Sequence, residues 1–508
     1  MTMHDDGELL EQEVAELRAS SPVASLCAGY DAVLGALRSS AVKATEKADG
    51  ATAKVRITVA EGMVEMSSAI EVNQSLSVDY VGIASVDQKL QFVSSQKATS
   101  TSVSIVAFAR KAIGSTTASN PVLTVDLNGM STATFVRAYG DSYVDSLSMG
   151  GEYYGVYTFY TETFEQQQSL VASLKASGIY SGVSASAELN TKIDNYVRTT
   201  NTNWTFDQQV TGLSNPDLPN PDKMIDYAVK FPDRTLDAPR VISFSTASYD
   251  HVPGFTLPFA QIVTNREYFV GNSIDGGLTE QLVDLVELQN KIDWLEAIYA
   301  CYGYHGDTEL DTFAVAVAED RAKVSAQFRA YEADPTQSFT RPALPALNKG
   351  TPVLSFDKLY GEMWGGGGGS PFEYPRVEDA LANRTRLTWL KLRSGSRIDR
   401  ISFRYADIHG EGEVQSHGGN GGSDQPALSL DSKEYIATIA GRCGSEVDRL
   451  YIVTNRGSST QGGGDGGHAV AWDTPAGYVL LGFQGRSGNR LDALQMVAAK
   501  LKPATYDK

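Results

Sequence analysis

Tyr139-Gly-Asp-Ser-Tyr-Val-Asp-Ser-Leu-Ser-Met-Gly150-Gly151 is the stretch on which the fold of this 508-residue chain turns. Aromatic and apolar residues alternate imperfectly with small polar ones until a glycine pair interrupts them. The pattern predicts a strand ending in a bend, because glycine accepts backbone angles that other residues resist. One order of segments stands on both sides of it. Upstream, residues 70–82 alternate, with Val72, Leu76, Val78 and Tyr80 on one face. Ile83, Val86, Leu90 and Val93 then fall at helical spacing, and Val103, Ile105, Ala107 and Ala109 return to alternation. Downstream come an aromatic strand, Tyr153–Tyr160, a helical stretch from Phe164 to Leu174, and a second alternating run. In that run Ile179, Val183, Ala185, Ala187 and Leu189 oppose Tyr180, Ser184, Ser186, Glu188 and Asn190. The expected N-terminal unit is α+β, with strand, helical excursion and strand repeated about the glycine bend.

Farther along, Arg240–Ser245 and Phe259–Val263 read as strands that complete this unit. Two helices follow over about 279–301 and 309–332, the first with a seam of Leu285, Leu288, Ile292, Leu295 and Tyr299. Residues 8–19 suggest a short amphipathic helix. Residues 1–333 therefore form one expected domain, 334–350 a proline-punctuated linker, and 351–508 a second domain.

The second domain carries an internal repeat. Gly395-Ser-Arg-Ile-Asp399, Gly444-Ser-Glu-Val-Asp448 and Gly488-Asn489-Arg490-Leu491-Asp492 each lead into an apolar strand. Each unit also owns a glycine-rich loop: 365–369 with Gly367 and Gly368, 418–422 with Gly419, and 462–467 with Gly463. This region holds 25 of the 47 glycines. Three similar β units imply an all-β prism with pseudo-threefold symmetry.

Charge divides the chain the same way. Residues 351–508 contain 18 Lys+Arg and 18 Asp+Glu, whereas the first 350 contain 25 against 43 and carry the whole net charge of −18. A strongly acidic body is a poor nucleic-acid binder and is repelled by anionic lipid. No nucleophile–base pair, metal spacing or nucleotide loop stands out, which argues against an enzyme, a metal or a cofactor. Cys27, Cys301 and Cys443 suggest no disulfide framework. No apolar run is long enough for a membrane helix. The first residues lack the apolar core of a secretory signal, so the expectation is a protein secreted or released without a classical signal peptide.

Two resemblances follow from these motifs. Tyr139-Gly140, Tyr143 and Gly150-Gly151, with the strand-helix-strand order around them, resemble the membrane-attack-complex/perforin family of pore-forming proteins. The family motif usually has Thr or Ser and then His after Tyr-Gly, where this chain has Asp141 and Ser142. Leu26-Cys-Ala-Gly-Tyr-Asp-Ala-Val-Leu-Gly35 is similar to the opening of many such domains. Residues 351–508 resemble the jacalin-like lectins, most closely in Gly477–Asp492 and Met363–Ser370.

The first resemblance implies a bent antiparallel sheet whose two helical clusters, near 70–110 and 155–195, refold into membrane-inserting hairpins once subunits close a ring. Tyr139, Gly140, Tyr143, Gly150 and Gly151 would form the sheet hinge. Ile179, Val183, Ala185, Ala187, Leu189, Val103 and Ile105 would face lipid. The second implies binding of cell-surface glycans, mannose-type in many members, by Gly488–Asp492 with Gly367 and Gly368, Gly395 and Asp399 with Gly419, and Gly444 and Asp448 with Gly463. An aspartate accepts from two sugar hydroxyls while glycine lets loop amides come close; the same residues would also serve simply to shape a tight turn. Together the resemblances imply a soluble monomer that binds glycans and forms a homo-oligomeric ring on a target membrane. Insecticidal bacterial toxins share this architecture. The rival reading is a non-lytic carbohydrate-binding adhesin with the body as scaffold.

Overall fold

A computed structural model describes residues 24–72, 88–176, 203–271 and 276–507. The expected helix over 8–19, most of the alternating run 70–82, and Ile179, Val183, Ala185, Ala187 and Leu189 lie outside these residues.

An eight-stranded sheet forms the N-terminal body. Its strands are β1 (Gly29–Asp31), β2 (Ala36–Arg38), β3 (Val42–Asp49), β4 (Thr52–Ala60), β5 (Ser102–Leu123), β6 (Ser142–Tyr160), β7 (Asn203–Val210) and β8 (Arg240–Ser248). β5 and β6 are the two long central strands, antiparallel from Ser102–Tyr160 to Thr117–Ser146. Their outer neighbours change partway. β4 covers β5 up to Ala112 and β3 takes over from Ser115. β7 covers β6 from Tyr153 onward and β8 covers it up to Gly150. At that handover the β5–β6 register slips between Ala112 and Gly114.

The glycine pair sits at this handover, but it does not end a strand: β6 runs straight through it. A Cβ on Gly150 would lie 2.0 Å from the Lys111 carbonyl oxygen, and one on Gly151 2.7 Å from that of Thr211. Close backbone approach, and not an unusual dihedral, is what these glycines allow. The start of the motif also differs from expectation. Tyr139 closes a helix that begins at Thr132, and Gly140 (φ 81°) turns the chain back against Tyr30 of β1. Buried Asp141 accepts from the Ala32 amide at 3.1 Å, and Ser142 Oγ donates to the Tyr30 carbonyl at 3.1 Å. The Gly-Tyr-Asp opening and the Tyr139–Gly151 motif are thus one packed unit.

Helices occupy both faces. α1 (Met63–Ala69) and α2 (Gln88–Ser95) lie between β4 and β5 in sequence, and α3 is Thr132–Tyr139. α4 (Phe164–Ala176) follows β6, and α5 is Met224–Lys230. Met63, Met66, Leu90 and Val93 pack with Val106, Phe108, Tyr154 and Val156 on one face. Leu170, Val171 and Leu174 of α4 join α5 over Val103, Ile105, Ala107 and Tyr157 on the other. Val103 and Ile105, expected to face lipid once inserted, are core residues in this fold. Both are fully buried in β5, where Ile105 pairs with Val59 of β4 and Tyr157 of β6, and Val103 pairs with Phe159 of β6.

The expected strand at Phe259–Val263 is instead the start of helix α6 (Ala260–Val270), which buries Ile262, Asn265 and Phe269. A five-residue apolar run is too short to reveal its period, and the burial three and seven residues apart is helical. Helices α7 (Leu278–Cys301) and α8 (Thr308–Ala333) follow, with Leu285, Leu288, Ile292, Leu295 and Tyr299 buried along α7. Their core is continuous with Leu354, Leu381, Leu481 and Leu501 of the C-terminal region. The intervening 334–350 segment is strapped down: Asn265 Nδ2 donates to the carbonyls of Pro335 and Gln337, and the Ala346 amide donates to Asp320.

The C-terminal region is three antiparallel sheets, one per repeat, around a shared core of residues such as Leu392, Ile401, Ile439, Leu450, Phe483 and Leu494. Each sheet is built on a hairpin: 386–394 with 398–407, 436–443 with 447–454, and 479–487 with 491–507. A short helix, α9 (Val377–Ala382), packs beneath it against the α7–α8 pair.

Candidate functional site

Each of the three hairpin turns is a Gly-x-x-x-Asp segment, and the backbone is the same each time. The first glycine's amide donates to the carbonyl two residues on: Gly395 to Arg397, Gly444 to Glu446, Gly488 to Arg490, at 3.0–3.1 Å. A register shift falls just before it in all three strands. The aspartate then starts the return strand and faces its glycine loop.

The loops also match residue for residue as Gly-Gly-x-Gly-Gly: 365–369, 418–422 and 463–467. The first glycine has φ between 96° and 120° and the fifth between 61° and 62°, a region where other L-residues are strained. The second glycine's amide donates to the main-chain carbonyl of the aspartate at 2.8–2.9 Å. A Cβ on the fourth would stand 2.3–2.5 Å from Oδ1 of Asp492, Asp399 or Asp448. The structure therefore pairs Asp492 with 365–369, Asp399 with 418–422 and Asp448 with 463–467.

One group that the sequence reading overlooked fixes each loop from beneath. Arg486 donates to the carbonyls of Gly368 and Gly369 at 2.8 and 2.7 Å. Arg393 does the same for Asn420, Gly421 and Gly422, and Arg442 for Asp465, Gly466 and Gly467. Since a trans peptide points its N–H opposite its C=O, carbonyls held inward turn the following amides outward. The result is a carboxylate acceptor beside a ridge of amide donors, which suits a ligand that offers vicinal hydroxyls and ether oxygens. The missed signal was an arginine two residues before each first glycine: Arg393, Arg442 and Arg486.

The turns also reach one another. A Cβ on Gly366 would meet the carbonyl of Ser445, one on Gly419 that of Asn489, and one on Gly464 that of Ser396, all within 2.6 Å. All three loops thus converge on one end of the prism, each bordered by the turn of a neighbouring repeat. This redistributes the expected site residues. Asn489 and Arg490 border Asp399 and not the Asp492 in their own turn, and Arg490 Nε lies 3.9 Å from Asp399 Oδ1. Leu491 is fully buried in the core, so its side chain is closed to ligand.

At the meeting point Glu446 pairs with both Arg397 and Arg490, the latter at 3.2 Å. Burial pushes the Glu446 carboxyl up, but hydrogen bonds from the two arginines outweigh it and hold it below the ordinary glutamate range. Asp492 Oδ2 is buried and has no hydrogen-bond partner among the described residues.

Comparison with known proteins converges on this region. A family model described as "Jacalin-like lectin domain" matches residues 361–497. Horcolin from Hordeum vulgare is 32% identical over 144 residues, spanning 26% of this chain and 90% of that protein. Wild-type Malaysian banana lectin is 27% identical over 29% of this chain and 99% of that one, with a TM-score of 0.24. A mannose binding jacalin related lectin from Ananas comosus is 26% identical over 28% of this chain and 96% of its own, with a TM-score of 0.23.

Proposed function

This chain belongs to the jacalin-like lectins through residues 361–497, and from that we propose that its carbohydrate-binding prism carries a pore-forming body to glycan-bearing membranes. The sugar class we extend from the Ananas comosus relative is mannose-type. The aspartate–glycine loops at one end of the prism would engage the glycan surface together, and linked sites gain avidity without new contacts. The near-neutral prism supplies the recruitment that an acidic body lacks.

One observation carries the pore-forming half. Both helical inserts open from the same end of the sheet, where Ala60, Ser102, Tyr160 and Asn203 end their strands side by side. Each insert is therefore a long interruption of an antiparallel hairpin, β4–β5 or β6–β7. Residues 61–101 and 161–202 supply about 40 residues each, against the roughly 20 that two membrane-spanning strands need. Extending the existing strands into them would lengthen both hairpins without changing the sheet. Among the described residues no helix is long and apolar enough to span a bilayer, a finding that does not bear on strands. Backbone groups in lipid must all be paired, so the extended hairpins of several subunits would have to close a barrel. The perforin-like resemblance of the Tyr139–Gly151 motif agrees with this reading.

Dye release from liposomes displaying mannose-type glycans tests it. Leakage with ring-shaped particles, blocked by a reversible disulfide between facing positions of α1 and α7, is the expected result. Glycan-dependent binding with neither leakage nor rings would leave the adhesin reading in its place.

A further inference from the structure

We propose that the three loops are two kinds of site: the Asp492 loop takes an uncharged sugar, while the Asp399 loop takes a saccharide bearing a carboxylate or sulfate. This rests on the lectin reading above and concerns which ligand each loop admits. The loops share their backbone but differ at three surrounding positions.

The first is the residue after the aspartate, which is Ala493, Arg400 or Arg449. The second is the middle residue of the glycine loop, Gly367, Asn420 or Asp465. The third comes from the neighbouring turn. Arg490 stands beside Asp399, and Arg397 Nε lies 3.5 Å from Asp448 Oδ1. By the same threefold relation Glu446 holds that place at the Asp492 loop, whose Gly366 abuts Ser445.

The electrostatic result is graded. Around Asp492 all three positions are small or acidic, and the carboxylate makes no ion pair among the described residues. No cation therefore competes with a hydroxyl for this carboxylate. Around Asp399 one guanidinium approaches the carboxylate and a second, from Arg400, is held at the loop. Arg400 is held by the neutral side-chain oxygen of Asn420, and Arg490 approaches Oδ1. Asp448 is intermediate, because its second arginine, Arg449, is paired with Asp465 at 2.7 Å.

A neutral sugar entering the Asp399 loop must compete with Arg490 for the oxygen its hydroxyls need. An anionic sugar instead gives the arginine a partner of its own, with the planar two-pronged geometry that guanidinium offers carboxylate and sulfate. Arg490 can turn to it, since its side chain is 44% exposed and its ion pairs among the described residues are with Glu446 and, at 3.9 Å, Asp399.

Calorimetric titration of the full chain with methyl α-mannopyranoside, its 6-sulfate and methyl α-mannopyranosiduronate tests the division. The neutral mannoside should lose its strongest site in Asp492→Ala and keep it in Arg490→Ala. At least one of the two charged sugars should lose affinity by about tenfold or more in Arg490→Ala, the size of one charge-assisted hydrogen bond. Arg490→Lys should restore part of it, and Asp492→Ala should leave it unchanged. High salt should weaken only the charged sugars. Equal dependence of charged and neutral sugars on Asp492, with no effect of Arg490→Ala, would overturn the proposal and leave the lectin reading intact. Binding of none of the three sugars to the wild-type chain would remove both.

Discussion

The prism and the body solve the same problem, holding irregular segments beside a rigid sheet, in opposite ways. In the prism a local device is used three times: an arginine pins a loop, a glycine admits an aspartate, and a turn closes on itself within a few residues. In the body both inserts are tied over long range, in part by residues of one helix, α7. Glu287 accepts from the Met63 amide at 2.6 Å, at the first turn of α1. One turn along α7, Lys291 Nζ donates to the carbonyls of Thr161 and Glu162 and to Thr101 Oγ1 at 2.9–3.0 Å, at the root of α4. Repeated local devices fail one at a time and leave the rest standing. Long-range ties gathered on one helix instead couple distant segments to the same element. Under the proposed pore-forming reading, a body that rearranges would be served by the second kind; a recognition surface is served by the first.

The comparison is most easily broken at Gly150. Its missing Cβ is replaced by the Lys111 carbonyl, a backbone atom that cannot turn aside. Gly150→Ala should destabilise the body by about 3 kcal/mol or more, seen as a lowered unfolding midpoint. A smaller effect comes from Lys291→Met. It removes a buried cation whose pKa burial pushes down to about 7, but takes the lysine donor from the Glu162 carbonyl and the Thr101 hydroxyl, while the Thr161 carbonyl keeps the Thr101 hydroxyl as donor. The net cost should be about 2 kcal/mol, with faster hydrogen exchange confined to α4 and its approach. Protection lost equally across the prism would mean that the tie is not local to the second insert.

The pH response sharpens the same contrast. Burial pushes Glu287 up to about 8 from an ordinary value of 4.5, with Asp284 and Glu65 adding to it and the Met63 amide opposing. Between pH 4.5 and 7 the folded state then holds a proton that the unfolded state has lost, so stability falls as pH rises. Lys291, pushed down to about 7 by burial, is protonated in both states over most of this window and opposes the trend only as pH nears 7. The Asp31–Asp141 pair, raised by burial, acts in the same direction as Glu287. Thermal unfolding should show a slope on the order of 1 kcal/mol per pH unit from Glu287 alone, removed in Glu287→Gln, which keeps an acceptor for Met63. A slope unchanged in that variant would assign the effect to the aspartate pair.

What the sequence made legible follows from the same distinction. Three Gly-x-x-x-Asp turns at near-equal spacing announce a threefold prism, and the long periods of α7 and α8 announce helices. Their signals are repeated or sustained along the chain. Phe259–Val263 offered too short a run, and Tyr139 sits at a junction where helix, turn and strand follow within four residues. The grouping of Arg490 with Asp399 was beyond reach for a different reason. Each turn contributes to the site of another repeat, so residues adjacent in sequence are divided between sites in space.

Gly367 should show the smallest effect on stability and so isolates recognition from folding. A Cβ there meets nothing within 4 Å and its φ is not in the left-handed region, unlike its neighbour Gly368, whose Cβ would strike Asp492 Oδ1. Gly367→Ala should stay within about 0.5 kcal/mol of wild type, whereas Gly368→Ala must displace the aspartate. Asn420 and Asp465 already occupy the equivalent place in the other two loops, so the backbone tolerates a side chain there. Any loss of mannoside affinity in Gly367→Ala therefore reports the ligand's own approach over the Asp492 loop. Unchanged affinity would place the sugar on the Asp492 side of the loop crest, away from the position where the three loops differ. Gly367→Asn goes further, because it imports the Asp399 loop's side chain without its arginines. If that variant loses neutral-sugar binding, crowding at the crest separates the two kinds of site as much as charge does; if it keeps it, the division belongs to the arginines.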